Sequence, residues 1–290
     1  MKKLHIPVLL TEVLATLRPS LGESYLDLTA GYGGHAESIL GTTLNYNNSI
    51  LVDRDKFAVS YLTEKFGDTI QIINLNFYDA VLRLIECGKT FDLILADFGV
   101  SSPQLDDDKR GFSFRGDGPL DMRMDQSQPL TADEIVNSWS ENDLATIFSR
   151  YGEEKFGRAK MLAHEIILNR PIKSTKALAD IIISKSGHSR NHPATRIFQS
   201  IRIAVNNELE EIEKTLPLLP KLLKDGGRVG IITFHSLEDR LVKDFFKAAS
   251  SFGEESELKI LTKKPIVAEA NELAINPRAR SAKLRVAQRI

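Results

Sequence analysis

The feature that most constrains the fold is a change in the pattern of apolar runs after about the first hundred residues. Before it, short apolar runs bounded by turn residues predict buried strands. These runs are Ser24–Ala30, Ser49–Asp53, Thr69–Asn74 and Phe91–Asp97. Amphipathic segments between them predict helices at Gly34–Ile39, Lys56–Phe66 and Tyr78–Cys87. Strands that alternate with helices form a parallel sheet covered on both faces, so this part of the chain is predicted to be α/β.

The strand pattern then stops for more than a hundred residues. Between Ser102 and Asn206 no segment is typical of a strand, and five amphipathic segments predict helices instead. They are Thr131–Trp139, Glu141–Tyr151, Glu153–Asn169, Thr175–Ser184 and Pro193–Ile203. A connection of this length between successive strands of one sheet is too long for a loop. We therefore expect a discontinuous α/β domain over 1–105 and 215–290 and an inserted helical domain over 106–214.

The last quarter of the chain returns to the α/β pattern. Leu216–Asp225 predicts a helix, and a Gly226–Gly227 turn then leads into a strand at Gly227–Phe234. Leu258–Lys264 and Ala282–Arg289 predict a closing pair of strands. Rossmann-like methyltransferases end with two such strands, whereas dinucleotide dehydrogenases usually continue with parallel ones. The fold prediction is therefore a Rossmann-like α/β domain of the methyltransferase kind with an all-α insert.

Cysteine content and hydropathy limit the remaining classes. Cys87 is the one cysteine among 290 residues, which excludes an internal disulfide and argues against a cysteine-based zinc site. Glu12 interrupts the apolar start, so it is not typical of a signal peptide. No stretch approaches the roughly 18–20 apolar residues of a membrane span. We expect a cytoplasmic protein without a membrane partner or a metal, and the oligomeric state stays open.

A glycine-rich turn follows the first predicted strand. Gly31, Gly33 and Gly34 lie where open α/β sheets bind ligands, and glycine allows the backbone to approach a ligand closely. Asp53 ends the next strand about twenty residues later, where a carboxylate can accept both hydroxyls of a ribose. Asp97 ends a third strand at the same edge. A tight turn and a helix-capping Asp53 are the purely structural alternatives.

The spacing of the glycines separates two cofactor classes. In the G-x-G-x-x-G pattern of dinucleotide-binding proteins, the third glycine would fall on Ala36 when counted from Gly31. Counted from Gly33, the pattern fails. S-adenosylmethionine has no pyrophosphate and tolerates a looser G-x-G. The pattern therefore favours S-adenosylmethionine over NAD.

Longer strings are far more specific than these general features. They are HIPVLLTEVL at 5–14, DLTAGYGGH at 27–35, LVDRD at 51–55, GVSSPQLDDDKRGFSFRGDGPLDMRMD at 99–125, YGEEKFGRAK at 151–160, HPATRIFQSIRIAVNNELEEI at 192–212, ITFHSLEDRLVK at 232–243 and NPRARSAKLRVA at 276–287. Together they resemble the bacterial small-subunit ribosomal RNA (cytosine-N4) methyltransferase family, also called MraW, over nearly the whole chain.

The resemblance implies a two-domain enzyme that uses S-adenosylmethionine. Its implied substrate is a cytosine in the decoding region of 16S ribosomal RNA within the small subunit, methylated at N4. Matched position by position, the cofactor residues would be Gly33, Gly34, His35, Asp53, Phe77, Asp97 and Gln104.

Candidate catalytic residues follow from the chemistry of the amine. The N4 lone pair is delocalised into the ring, and acceptors for its two N–H bonds would localise it. Asp97 and the Ser101, Ser102 and Pro103 segment are placed for this role and for a cytosine pocket. Phe112 and Phe114 are candidates to stack on a flipped base or, equally, to pack between domains. His235 and Ser236 either line the crevice or form a structural turn.

A basic segment indicates where RNA would bind. Residues 150–206 carry eleven Lys or Arg and four Asp or Glu, a net charge of +7 in a chain whose net charge is −1. Residues 276–290 add five basic residues and no acidic one. Phosphate contacts supply most sequence-independent affinity for nucleic acid, so we expect the insert to bind RNA. The alternative is that these residues are ordinary solvated charges on helix faces with no role in RNA binding.

Three other functions stay open at this level. A DNA amino methyltransferase would use the same chemistry with the insert as its target-recognition region. A ribosome-assembly factor could bind S-adenosylmethionine without catalysis, although the intact Asp97 argues against it. An NAD-dependent oxidoreductase is disfavoured by the glycine pattern. Methyl transfer to small subunits, free 16S RNA or DNA separates these alternatives.

Overall fold

The computed structural model describes residues 7–185, 192–251 and 256–290. His5 and Ile6 of the first family string, and Arg190 of the basic segment, lie outside these ranges. The chain divides into two compact units, Met1–Gly99 with Leu209–Ile290, and Val100–Glu208. The predicted insert and the second unit overlap over 106–208.

The first unit is built on one mixed sheet. Within the described residues its strands are β1 (Tyr25–Asp27), β2 (Ile50–Asp53), β3 (Gln71–Asn74), β4 (Phe91–Asp97), β5 (Leu223–Thr233), β6 (Leu258–Ile260) and β7 (Lys283–Arg289). They are ordered β3-β2-β1-β4-β5-β7-β6. Neighbours among β1 to β5 pair in parallel, whereas β7 runs antiparallel to both β5 and β6. The α/β class and the Rossmann-like sheet are thereby confirmed.

Helices connect the strands and form most of the second unit. In chain order the α-helices of the described residues are α1 (Leu10–Leu17), α2 (Gly34–Thr43), α3 (Lys56–Phe66), α4 (Phe77–Glu86), α5 (Ser102–Asp106), α6 (Ala132–Ser138), α7 (Glu141–Arg150), α8 (Phe156–Leu168), α9 (Thr175–Ser184), α10 (Ala194–Asn206), α11 (Glu208–Thr215), α12 (Leu219–Leu222), α13 (Ser236–Ala249) and α14 (Ala270–Ile275). Polar side chains start several of them, because the first N–H groups of a helix need acceptors. The Asp55 carboxylate accepts the Phe57 N–H at 3.0 Å, and the Asn76 amide oxygen accepts the Asp79 N–H at 2.8 Å.

The sheet is buried on both faces because successive strand residues point to opposite sides. Leu26 and Ile94 belong to one apolar core, whereas Tyr25, Leu93 and Leu95 belong to the other. These neighbours along β1 and β4 are all buried. Runs of consecutive apolar residues, rather than strict alternation, are the expected pattern for such strands.

The second unit has its own helical core. Leu144, Phe148, Leu162 and Ile201 are buried in one cluster. No strand occurs in its described residues, as predicted for 102–206.

Buried polar groups hold the long α5–α6 connection of that unit. The Arg110 guanidinium donates to the carbonyls of Arg123 and Met124, each at 3.0 Å. The Asn206 side chain accepts the Met124 N–H and donates to the Met122 carbonyl, both at 2.7 Å. A buried backbone without secondary structure needs such partners. Part of the family-specific string at 99–125 therefore has a structural role.

Several predicted bounds were wrong. The predicted helix Leu216–Asp225 ends at Leu222, and β5 starts at Leu223, which pairs with Phe91. The chain then bulges before Arg228 pairs with Leu93. β1 covers only Tyr25–Asp27 and β6 only Leu258–Ile260, so both predicted strands were too long. Among the described residues, no helix combines the length and hydrophobicity that crossing a membrane requires.

Candidate cofactor and catalytic site

The end of β2 is tied to the glycine loop that follows β1. The Gly31 N–H donates to Asp53 Oδ2 at 2.7 Å, and the Asp55 N–H donates to Oδ1 of the same carboxylate at 2.8 Å. Parallel strands end at the same edge of a sheet, and these bonds join two neighbouring ends there. Each Asp53 oxygen keeps capacity for a further hydrogen bond.

Packing within the protein gives a steric reason for glycine at positions 33 and 34. A Cβ at Gly33, where φ is +72°, would lie 2.9 Å from the Phe66 ring and 3.0 Å from Leu62. A Cβ at Gly34 would lie 2.6 Å from the Pro7 ring. The glycine pattern predicted close approach of a ligand at these positions. That reason was incomplete, because packing against α3 and against Pro7 already disfavours a side chain at these two positions.

Asp97 ends β4 beside the same loop. Its N–H donates to Thr29 Oγ1 at 2.6 Å, which fixes the backbone where the strand ends. Its Oδ2 lies 3.8 Å from His35 Nε2, and the His35 side chain is buried at the start of α2. Asp97 Oδ1 is buried and has no hydrogen-bond partner among the described residues. A buried oxygen of this kind is costly unless a donor reaches it.

Burial raises the pKa of three carboxyl groups at this edge. The pKa of Asp27 rises to about 7, mainly through burial. The pKa of Asp53 also rises, to about 6, mainly through burial. The two backbone N–H groups that donate to this carboxylate lower the pKa and partly offset the effect of burial. The pKa of Asp97 is well above its usual range because of burial, with smaller contributions from Asp27 and Glu238. Clusters of perturbed acids mark functional sites more often than chance.

Asp27 was not among the site residues predicted from the sequence. It lies on β1, and its carboxylate accepts the Tyr25 O–H at 2.7 Å and the Thr29 N–H at 3.1 Å. Burial and the neighbouring Asp27 also hold the pKa of Tyr25 well above its usual range. Asp27 could have been recognised from the sequence, because it lies inside a predicted buried strand and a buried carboxylate needs a dedicated partner.

Glu238 was missed as well. Its side chain is fully buried, and Oε2 accepts the N–H groups of Phe234 and His235 at 2.7 and 3.2 Å. His235 caps α13 in return, since its Nδ1 accepts the Glu238 N–H at 3.4 Å. A capping box usually begins with Ser or Thr. This one begins with a histidine, so the usual sequence pattern did not reveal it. His235 therefore has at least the structural role that the sequence left open.

Phe77 lies at the same edge, whereas the other aromatic candidates pack inside the second unit. Phe77 starts α4, and its ring centroid is 5.3 Å from that of Phe98, next to Asp97. Phe112 is buried in the helical core. Phe114 stacks on His192 with centroids 4.3 Å apart and packs edge-on against Phe198.

The remaining predicted site residues start the second unit. Ser101 caps α5, and its Oγ accepts the Gln104 N–H at 3.4 Å. Gln104 Oε1 accepts the Ser101 N–H at 3.0 Å in return, so these two side chains form a capping box. Ser102 and Pro103 form the first turn of that helix. Contacts thus connect the glycine loop, His35, Asp53 and Asp97 in the first unit, and Ser101 with Gln104 in the second.

The model of the MraW methylase family matches residues 2–290. The chain belongs to the MraW methylase family. A ribosomal RNA small subunit methyltransferase H from Synechocystis sp. is 48% identical over 99% of this chain and 93% of its own length. The protein of that name from Trichodesmium erythraeum is 46% identical over 99% of both chains.

Family membership settles the class of enzyme. The family is one of S-adenosylmethionine-dependent methyltransferases, so the predicted family and cofactor are confirmed and the oxidoreductase alternative is excluded. Among solved structures, this methylase is similar over 97% of its length to an rRNA methylase from Streptococcus thermophilus, with 7% identity, 93% of that chain covered and a TM-score of 0.43.

Proposed function

We propose that this methylase transfers a methyl group from S-adenosylmethionine to the N4 amine of a cytosine in the decoding region of 16S ribosomal RNA in the small subunit. Relatives that share nearly half of its residues are named ribosomal RNA small subunit methyltransferases. The observation that supports an amine as the methyl acceptor is the Oδ1 of Asp97, which is buried and has no hydrogen-bond partner among the described residues. A ribosomal substrate makes the cytoplasm the proposed location.

The residues of the first unit fit the cofactor. Asp53 has spare acceptor capacity for ribose hydroxyls, because each of its oxygens accepts one backbone N–H. Gly33, Gly34 and His35 begin α2, whose N-terminus carries partial positive charge. Phe77 supplies an aromatic surface at the same edge. When bound, S-adenosylmethionine supplies a methyl group made electrophilic by its sulfonium. Gln104 belongs to the proposed set through the family resemblance.

Asp97 is the proposed acceptor for the amine. A hydrogen bond from N4–H to Asp97 Oδ1 would draw the nitrogen toward tetrahedral geometry and free its lone pair for attack. Transfer of the methyl group to N4 would leave the electron pair of the broken S–C bond on the sulfur, and the methylated nitrogen would release one proton to solvent. The Ser101–Pro103 backbone is the proposed second acceptor and part of the cytosine pocket.

The protonation state of Asp97 decides whether its carboxylate can accept the N4–H hydrogen bond and offset the positive charge on the amine. Burial, Asp27 and Glu238 all favour its neutral form, because they raise its pKa. An adjacent cation favours the charged form of a carboxyl group. S-adenosylmethionine is cationic at its sulfonium and its ammonium. We therefore expect Asp97 to be ionised mainly in the loaded enzyme, which would couple catalytic competence to cofactor binding.

The second unit is proposed to bind RNA through part of its basic segment. Several of those side chains already have internal partners: Arg202 pairs with Glu208 at 2.8 Å, and the Arg170 guanidinium donates to the carbonyls of Val136 and Trp139. Those that remain exposed are Arg150, Lys155, Lys160, Lys173, Lys176, Lys185 and Arg196. Some of these exposed side chains also form surface ion pairs, which are weak and exchange readily for phosphate.

Methyl transfer to defined substrates tests the proposal. Labelled S-adenosylmethionine is supplied with small ribosomal subunits, free 16S RNA or duplex DNA, and the product is digested to nucleosides. We expect N4-methylcytidine from the ribosomal substrate. Methyl on cytosine C5 would contradict the proposed reaction, and methyl on DNA alone would favour the DNA methyltransferase. Cofactor binding without transfer to any substrate would favour the assembly factor.

A further inference from the structure

The C-terminal basic residues differ in exposure: Arg278 and Arg280 are exposed, whereas Lys283, Arg285 and Arg289 are not. Lys283 and Arg285 on β7 both contact the Asp239 carboxylate, at 3.1 and 2.7 Å. Arg289 donates to the carbonyls of Pro220 and Leu223 at 2.5 and 2.7 Å. These three side chains are partly or fully buried and have partners within the first unit, which makes them weaker candidates for RNA contact than the exposed basic residues of the same segment.

Arg278 and Arg280 are exposed on the 3₁₀ turn Pro277–Ser281, which we call the arginine turn. Ala279, between them, is buried. The buried Ala279 anchors the turn in the apolar core, and the two exposed arginines flank it in the chain. No acidic residue follows Glu272 in the chain.

The arginine turn lies at the carboxyl edge of the sheet. Lys283, the first residue of β7, pairs with Thr233, the last residue of β5. The adjacent Ile232 pairs with Asp97. The turn just before β7 therefore belongs to the edge where β4 and β5 end.

The N-terminal strap of residues 7–9 links the same turn to the glycine loop. Pro7 packs against Gly34, and the Leu9 N–H donates to Glu272 Oε1 at 2.8 Å. Glu272 lies on α14, and its carbonyl accepts the Asn276 N–H at 2.7 Å immediately before the turn. Leu9 and Ala279 share one buried core. A short chain of packed residues thus joins the arginine turn to the start of α2.

We propose that Arg278 and Arg280 bind phosphates of the RNA strand that carries the target nucleotide, at the edge of the methyltransferase unit itself. Guanidinium groups bind phosphate through paired hydrogen bonds, and they stay charged at any physiological pH. The inference rests on the proposed RNA substrate. It adds a contact surface outside the helical unit, at the sheet edge that carries the residues proposed to hold the cofactor.

A double variant, Arg278→Gln with Arg280→Gln, tests this contact. Binding to small ribosomal subunits is measured by filter retention across a range of salt concentrations. Each phosphate contact contributes about 0.7–0.9 to the slope of log affinity against log salt concentration. We expect the slope to fall by about 1.4–1.8 and the affinity at low salt to fall roughly tenfold. The Arg278→Lys with Arg280→Lys variant should recover most of the slope, because it keeps both charges.

The matched control is Lys221→Gln with Lys259→Gln. It removes the same charge from exposed positions, Lys221 just before the amino end of β5 and Lys259 on β6, and should leave the slope unchanged. Calorimetry with S-adenosylmethionine checks that each variant keeps its cofactor site. An unchanged slope in the arginine variant, or an equal fall in the lysine control, overturns the inference. Methyl transfer by the unmodified enzyme to the same subunits tests the proposed function separately.

Discussion

The Asp53 carboxylate accepts the backbone N–H of Gly31 at 2.7 Å, which ties the end of β2 to the loop that follows β1. One side chain can therefore shape the glycine loop and, in the proposed site, hold the ribose. Both roles depend on its two oxygens: Oδ2 accepts the Gly31 N–H, and Oδ1 accepts the Asp55 N–H.

Asp53→Ala is expected to weaken cofactor binding strongly. It removes the proposed ribose hydrogen bonds, each of which contributes roughly 1.5–3 kcal/mol when the acceptor is charged. It also releases the Gly31 N–H. Calorimetry with S-adenosylmethionine measures the loss, and Asp68→Asn, an exposed carboxylate beyond α3, serves as the control. Unchanged affinity in Asp53→Ala would remove this residue from the site.

Cofactor affinity is expected to depend on pH through the same group. The pKa of Asp53 is about 6, and its ionised form is the better acceptor for ribose hydroxyls. Affinity should therefore rise as the pH increases from 5 to 7, by less than about tenfold per pH unit, and then level off. Asp53→Asn should flatten this rise. The same pH dependence in wild type and Asp53→Asn would assign it to another group, of which Asp97 is the nearest candidate.

The sequence predicted the parallel part of the sheet because β1 to β4 are buried on both faces and appear as short apolar runs. It could not place the start of β5. There the ladder restarts after a bulge, and pairing between Leu223 and Phe91 outweighs the local helical pattern. Asp53 and Asp97 were predicted as site residues because they end strands, whereas the contacts of Asp27 and Glu238 depend on partners that only the folded chain brings near. Local patterns carry no information on such partners.

Asp27→Asn is expected to change how stability depends on pH. The pKa of Asp27 is about 7 in the folded protein and near 4 in the unfolded chain. The folded protein therefore binds the extra proton between these values, and this group's contribution to stability is complete below about pH 4 and is lost as the pH rises to 7. Across that window the free energy of unfolding should fall by on the order of 1 kcal/mol per pH unit.

Asn cannot titrate, so Asp27→Asn should remove that part of the slope. Chemical denaturation at several pH values measures it. Asp92→Asn is the control, since Lys224 and Ser24 lower the pKa of Asp92 and keep it ionised above pH 5. If wild type and Asp27→Asn lose stability in parallel between pH 5 and 7, Asp27 is not the group that titrates.

Gly111→Ala is expected to destabilise the second unit. Gly111 has φ of +71°, and an added Cβ would overlap the Pro119 carbonyl oxygen and lie 2.9 Å from the Asp121 nitrogen. Both neighbours are backbone atoms that cannot rotate away. Strain of this kind costs on the order of 1–3 kcal/mol, and the overlap adds to it. Gly157→Ala, at an open position on α8, should instead be neutral or stabilising by about 0.5–1 kcal/mol. Thermal unfolding of the two variants contradicts this account if they shift alike.

Asp97→Asn is expected to lower the rate of methyl transfer far more than cofactor affinity. The change keeps the shape and a hydrogen-bond acceptor but removes the charge that would offset the positive charge developing on N4. Removing one preorganised electrostatic contact typically costs about 10²–10³ in rate. Single-turnover kinetics on small subunits at saturating cofactor, with cofactor binding measured separately, gives both quantities. Asp92→Asn, at the other end of the same strand, should leave the saturated rate unchanged.

The two roles of Asp97 predict opposite patterns. If its Oδ1 accepts the amine, the saturated rate falls much more than the affinity. If Asp97 only anchors the cationic cofactor, affinity falls and the saturated rate stays near that of the wild type. The second result would rule out the catalytic role, because a group that stabilises the transition state must affect the rate of the bound complex. The backbone of residues 99–103 would then be the remaining candidate acceptor for the amine, since its carbonyls follow β4 directly and need no charged side chain to accept the N4–H bonds.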